Sequence, residues 1–340
     1  MSREPTRART YNRAPAAPSP RGRGGSGSSS NRFPSAADGL AYLLFRTTPR
    51  DRWLLSMLGE HRLLTAMQIH ALAFTRARTM NYRLAQLREL GLVDRFRASA
   101  ASWCGAQCYR YILGPRGALL AAAALDMTPK EYGYNHAKLL RQGARSDLAH
   151  TIGLTDALVS LTARGQLAAW WNQYTCMGLW GDLIRPDAYA VHRDPGPGGE
   201  FGFLFEHDTG SEHLPQLAEK STGYARYAAA YGGHRPILIQ VPDAEREFRL
   251  HGRLAGIPEA AGLPIATTVT APAERSTAQI HELGAHLAGL AWRPLGTDRR
   301  LTLAQIPGHF AGRGIRLLAP LLQDRAVRAP VPIAPKLSGR

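Results

Sequence analysis

The sequence predicts an α+β chain: a winged helix-turn-helix first, then an α/β domain whose mixed sheet follows the order α-β-β-β-α-β. Three observations predict it. Three successive helical periods between Arg50 and Leu90 lead into two strand-like segments, which is the element order of a winged helix. From Ser146 the apolar pattern runs helix, three strands, long helix, buried strand. Hydrophobic residues make up 44 % of the 340, enough for a substantial core, so a wholly disordered chain is excluded.

In the first part, Trp53, Leu54, Met57 and Leu58 share one helical face that ends near His61. Thr65 is placed to cap a second helix carrying Met67, Ile69, Leu72 and Phe74. A third helix spans Arg78 to Leu90, with Met80, Leu84 and Leu87 at i, i+4 and i+7 as its buried stripe and Gly91 as its stop. Strands follow at Leu92–Arg97 and Cys108–Leu113, joined by a hairpin tip over 98–107. After Gly114-Pro115 a helix runs to about Leu125, and a polar linker with Pro129 and Gly133 closes this part. The second part begins with a helix over Ser146–Arg164. Strands are expected at Leu167–Cys176, Ile184–Val191 and Phe201–Asp208, a helix over Leu214–Tyr231 and a strand at Pro236–Val241. A further helix, a strand near Ile265–Thr270 and a helix near Thr277–Leu290 complete the reading. The boundaries are a basic arm at 1–35, the winged domain at 36–130, the α/β domain at 145–300 and a Pro-rich tail at 325–340.

Charge narrows the partners. Lys and Arg total 42 against 26 Asp and Glu, a net charge of +16, which points to polyanions. The arm concentrates this charge: Arg3, Arg7, Arg9, Arg13, Arg21, Arg23 and Arg32 are opposed only by Glu4. No apolar run is long enough for a membrane helix, and the basic N-terminus has no apolar segment of the signal-peptide kind. Three cysteines, an odd count, cannot pair completely and suit a reducing cytoplasm. Cys104 and Cys108 have no second Cys/His pair at zinc spacing and read as incidental thiols. The expectation is a cytoplasmic protein with double-stranded DNA as its partner and no membrane.

Two constellations carry chemistry. The third helix turns Arg76, Arg78, Asn81, Tyr82, Arg83 and Gln86 away from its buried stripe, and Arg, Asn and Gln can pair with base edges in a major groove. Arg95, Arg97 and Arg110 on the wing are placed for backbone phosphates. In the second part, Asp187 within one strand and Glu206 and Asp208 at the end of the next would meet at one sheet edge, the last two on the same face. Three carboxylates together need a cation, and Mg²⁺ or Mn²⁺ suits oxygen ligands and can activate water against a phosphodiester. Lys220 and Tyr224, at i and i+4 on the following helix, add a cation and a hydroxyl. A catalytic set of Asp187, Glu206, Asp208 and Lys220 follows, with the three carboxylates as metal ligands. No other cofactor is expected.

This element order resembles the restriction-endonuclease-like core of the PD-(D/E)xK nuclease superfamily. Asp187 matches the family's Asp and Glu206 its second acid, whereas Asp208 stands where the family has lysine. Lys220 on the next helix matches a migrated lysine. The chain also resembles the replication-relaxation family. That resemblance rests on Leu63-Leu64-Thr65, Leu87-Arg88-Glu89-Leu90-Gly91-Leu92-Val93, Tyr111-Ile112-Leu113-Gly114-Pro115-Arg116-Gly117, Leu148-Ala149-His150, Ile184-Arg185-Pro186-Asp187-Ala188-Tyr189 and Phe205-Glu206-His207-Asp208-Thr209-Gly210-Ser211-Glu212. It implies a DNA-binding protein of plasmid or mobile-element replication, relaxation or conjugative mobilisation, acting with a relaxase or replication initiator. The alternatives are a metal-dependent nuclease or nickase targeted by the winged helix, and a winged-helix transcriptional regulator. A relaxase itself is disfavoured, because no His-x-His cluster occurs.

Overall fold

The structure is a computed structural model that describes residues 36–97, 109–142, 147–193, 199–210, 214–270, 275–321 and 329–335. The basic arm, the hairpin tip with Cys104 and Cys108, and part of the Pro-rich tail lie outside the described residues. Helix α1 (Ala36–Arg46) precedes α2 (Pro49–His61), which Thr48 starts through a reciprocal capping box with Asp51, with Pro at the first turn. Thr65 and Gln68 form the same box at α3 (Ala66–Ala73). Helix α4 (Ala77–Glu89) stops at Gly91, whose φ of 70° glycine adopts without strain. Leu92 N then bonds Leu87 O and Gly91 N bonds Arg88 O, satisfying the last carbonyls of α4 in a Schellman turn.

Strands β1 (Leu64–Thr65), β2 (Val93–Arg97) and β3 (Tyr109–Leu113) form an antiparallel sheet in the order β1-β3-β2. The sequence pattern supplied β2 and β3 but not the two-residue β1. Helices α5 (Pro115–Ala123) and α6 (His136–Arg141) follow.

The chain then enters α7 (Leu148–Ala163), where twelve of sixteen residues are buried. A helix apolar all round belongs inside a protein. One side of α7 meets α3 and the other a six-stranded mixed sheet, so a single apolar cluster runs from Leu54 and Leu84 through Leu158 to Phe203 and Phe205. The sheet order is β4 (Leu167–Asn172), β5 (Ala188–His192), β6 (Phe201–His207), β7 (Ile237–Val241), β8 (Ile265–Val269) and β9 (Arg293–Pro294). Pairing is antiparallel from β4 to β6, parallel from β6 to β8, and antiparallel again at β9. Alternate residues of β6 serve opposite faces: Phe201, Phe203 and Phe205 face the α7 side, and Leu204 faces α9 (Leu214–Tyr231) and α10 (Ala244–Ala255). Helices α11 (Pro258–Ala261), α12 (Thr277–Ala288) and α13 (Ile306–Gly312) complete the chain.

Two strand expectations change. Strand β4 ends at Asn172 rather than Cys176, because the Asn172 side chain accepts from Tyr174 N and Thr175 N and starts α8 (Gln173–Trp180). Strand β5 begins at Ala188 rather than Ile184, because Leu183 N and Ile184 N still bond Trp180 O at the end of α8. Asp187 therefore precedes its strand instead of lying within it.

Gly284 lets α12 approach the end of α7. A Cβ there would stand 2.3 Å from Ser160 O and 2.9 Å from Arg164 Cδ of the α7 end. Gly284→Ala should cost about 1–3 kcal/mol of stability, the usual penalty for overpacking. Urea unfolding followed by circular dichroism measures it, and an unchanged midpoint would mean that α12 and α7 separate freely.

Candidate nucleic-acid interface and acidic site

Helix α4 is locked by Met80, Leu84 and Leu87, each at most 1 % exposed. Its opposite face is open: Arg76, Arg78, Asn81, Tyr82 and Arg88 are exposed, Tyr82 at 69 %. Two residues expected to read bases are engaged elsewhere. Arg83 makes a two-pronged bridge to buried Asp51, at 2.6 and 3.1 Å, and also donates to Arg46 O at 2.9 Å. Gln86 accepts from Arg83 at 2.8 Å. Burial alone would raise the Asp51 pKa, but hydrogen bonds from Arg83 and Thr48 outweigh it and hold the carboxyl below its usual value. The side chain of Arg83 thus ties α4 to α2.

On the β2–β3 pair, Arg95 and Arg97 both stack on Tyr109, at 3.6 and 4.5 Å from the ring centroid, and Arg97 donates to the Tyr109 hydroxyl at 2.6 Å. Arg110, expected on the same surface, is 1 % exposed. It alternates with Tyr109 along β3, so its side chain points to the other face, into the protein. Its assignment as a phosphate contact is corrected accordingly.

In the second part, five side chains converge. His150 Nε2, in the first turn of α7, lies 3.3 Å from Asp187 Oδ2, which also accepts from His207 N at 2.8 Å. Lys220 Nζ of α9 lies 2.9 Å from Glu206 Oε2, and the Tyr224 hydroxyl donates to Glu206 Oε1. The i, i+4 spacing of Lys220 and Tyr224 brings both onto one carboxylate. Asp208 does not complete a trio with them. It forms a two-pronged bridge with Arg246 of α10, at 2.5 and 3.0 Å.

The expected metal site on Asp187, Glu206 and Asp208 is therefore corrected. Arg246 holds the oxygens of Asp208, and Lys220 and Tyr224 hold those of Glu206. Among the described residues, no group of three His, Cys, Asp or Glu side chains is arranged to hold a metal ion. The donor set does not fit the Mg²⁺ or Mn²⁺ that a PD-(D/E)xK resemblance implies.

Burial and neighbours set the protonation of the cluster. Burial first, and then repulsion from Asp187, push Glu206 up to about 7, against the opposing pull of Lys220 and Tyr224. Burial would raise Asp187 and lower His150, but their mutual hydrogen bond and attraction win, so Asp187 falls and His150 rises. His207, buried beside His150, drops to about 4.

Sequence reasoning missed His150 and Arg246 as partners of these carboxylates. His150 carried a signal in the segment Leu148-Ala149-His150, whereas Arg246, thirty-eight positions from Asp208, had none.

A protein-family model described as replication-relaxation matches residues 55–237, more than half of the chain. The chain belongs to the replication-relaxation family. No curated protein and no solved structure gives a match. The matched span runs from α2 to the first residue of β7, so both the α4 face and the His150–Asp187–Glu206–Lys220 cluster of this replication-relaxation protein fall within it. Among the described residues, no helix is long and apolar enough to cross a membrane.

Glu206 yields a pH prediction. Its folded pKa, about 7, lies above the ordinary 4.5. The stability it contributes is full below pH 4.5 and is lost as pH rises through about 7. His150, also raised, acts in the same direction near the upper end of that window. Glu206→Gln should flatten the decline of melting temperature between about pH 4.5 and 7 relative to wild type. Parallel profiles for the two proteins would show that Glu206 titrates normally.

Proposed function

We propose that this replication-relaxation protein binds duplex DNA through a winged helix-turn-helix, with α4 in the major groove, and acts in plasmid or mobile-element replication, relaxation or mobilisation. One observation carries the reading: α4 presents Arg78, Asn81 and Tyr82 to solvent while Met80, Leu84 and Leu87 fix it from behind. A rigid helix with exposed Arg and Asn is the arrangement that reads base edges. Arg76 at the helix start and the Arg95–Tyr109–Arg97 stack on the wing supply flanking positive charge for phosphates. The net charge of +16 supports the same partner. A relaxase or replication initiator is the protein partner this role calls for.

Arg83 serves this interface indirectly, by clamping α4 to α2 through Asp51.

Anisotropy of a labelled duplex across a salt series tests the reading, on a target selected from a random pool. Binding should weaken steeply with salt, by a log–log slope of about 0.9 for each phosphate neutralised. Asn81→Ala or Arg78→Ala should cost about 1–3 kcal/mol at the cognate site. Arg83→Ala should lower the melting temperature as well as affinity, whereas Arg97→Ala should weaken all sequences alike. Undiminished binding by the α4 variants would refute this docking.

A further inference from the structure

The carboxylates of the second-domain cluster sit behind its cations. Asp187 and Glu206 side chains are 13 % and 1 % exposed, whereas His150 and Lys220 are 30 % and 32 % exposed. Asp187 Oδ2 is engaged from within the protein by His150 and the His207 amide, and both oxygens of Glu206 by Lys220 and Tyr224. A solvent-borne ligand therefore meets an ammonium and an imidazole first. Such a surface selects an anion.

A second observation adjoins it. His150 also lines a cavity of about 40 Å³ between the end of α2, the start of α7 and α8, together with Arg62, Gln142, Trp170 and Tyr174. The cavity holds about three or four waters, at roughly 10–15 Å³ each. Fully buried His61, 4 % exposed and stacked on Trp170 at 3.4 Å, lines it without a hydrogen-bond partner on either ring nitrogen. The buried Oε1 of Gln142 and Nε1 of Trp170 are likewise unpartnered. Polar atoms left in that state call for water or a ligand. At the rim, Arg62 and Lys138 lie 5.5 and 5.8 Å from the centre of the Tyr174 ring. Cations interleaved with an aromatic ring are how proteins follow a single nucleic-acid strand, the cations on phosphates and the ring on a base.

We propose that His150 and Lys220 hold a backbone phosphate of a single DNA strand, with Arg62, Lys138 and Tyr174 as the adjoining track. The proposal rests on the DNA-handling reading above but uses a different face from α4. Asp187 and Glu206 act as positioning residues: Asp187 orients the imidazole, and Glu206 steers the ammonium. The charged and titratable groups facing His150 are Asp187 ahead of β5, Glu206 and His207 on β6, Lys220 on α9, and His61, Arg62 and Asp147 around the cavity. Of these, Asp187, Glu206 and Asp147 are acidic and Lys220 and Arg62 are cationic, and a bound phosphate adds negative charge directly beside the ring and so favours the imidazolium.

The test uses the full chain. Histidine Cε1–H resonances are followed by NMR across pH, alone, with a short oligothymidylate, and with inorganic phosphate; the His150 signal is assigned by its loss in His150→Gln. The oligothymidylate should raise the apparent His150 pKa by about half a unit to one unit, leaving exposed His281 in place. Lys220→Met and Arg62→Met should each weaken oligothymidylate binding, Lys220→Met by about tenfold, the scale of one charge-assisted hydrogen bond. A His150 titration unmoved by the oligothymidylate overturns the proposal, even if a variant fails to fold. A shift with inorganic phosphate but none with the strand assigns the site to free anions and overturns the strand assignment. An α4 variant, Asn81→Ala, separates the two readings. Loss of duplex binding with a retained His150 response supports both. Retained duplex binding removes the α4 reading and leaves this one standing.

Discussion

Burial of α7 on both sides is the constraint on which the rest depends. A helix with Ile152, Leu158, Val159 and Leu161 spread around its circumference has no solvent face, so the sheet must cover one side and the N-terminal helices the other. Its few polar residues then acquire fixed partners. Asp156, 1 % exposed, accepts from Gln68 Nε2 at 2.7 Å, and Gln68 is the same residue that closes the capping box of α3. Gly153 leaves room for the His207 ring, whose Nε2 would be 2.3 Å from a Cβ there. His150, one turn earlier, is thereby delivered to Asp187. Local capping, core packing and the polar cluster are one connected arrangement.

A second weld lies at the end of α2. Glu60 Oε1 accepts from Asn172 N at 3.0 Å and from Thr175 Oγ1 at 2.8 Å, while Asn172 itself caps α8. Burial raises the Glu60 pKa in spite of those bonds. Next to it, His61 stacks on Trp170, and burial carries its pKa well below the usual value. Neutral His61 stabilises the fold above its ordinary pKa, and that contribution is lost as pH falls. The helix that supports α4 is thus continuous, through Glu60 and His61, with the strand and helix beside the His150 cavity. Charge is sorted in the same way. Arg83 and Arg246 neutralise buried acids, whereas Arg76 at the start of α4 and Arg78 and Arg88 along it face solvent.

Much of this was legible in the residues. The stripe of Met80, Leu84 and Leu87, the cap at Thr65 and the stop at Gly91 fix α4 by local rules, and local rules are written in sequence. The alternation of Phe203, Leu204 and Phe205 likewise marks a strand buried on both faces. What failed was non-local or competitive. Asn172 looked like a continuing strand until its side chain capped α8, and a β-pattern gives no warning of that competition. The face of a strand residue follows from parity, so Arg110 was readable once β3 was placed. Partner choice was not: Arg83 is 32 positions from Asp51, and Arg246 is 38 from Asp208. Asp208 needs no metal because tertiary packing brings the Arg246 guanidinium onto it, a partner that no local pattern announces.

The docking of duplex DNA proposed for the exposed face of α4 is open to direct test. The most direct measurement is photo-crosslinking from bromouracil placed through a selected duplex, followed by mass-spectrometric mapping of the attached peptides. Adducts are expected on the peptide carrying Asn81 and Tyr82, with weaker adducts from flanking positions on Tyr109 of β3. Adducts confined to residues 145–300, with none on α4, would rule that docking out.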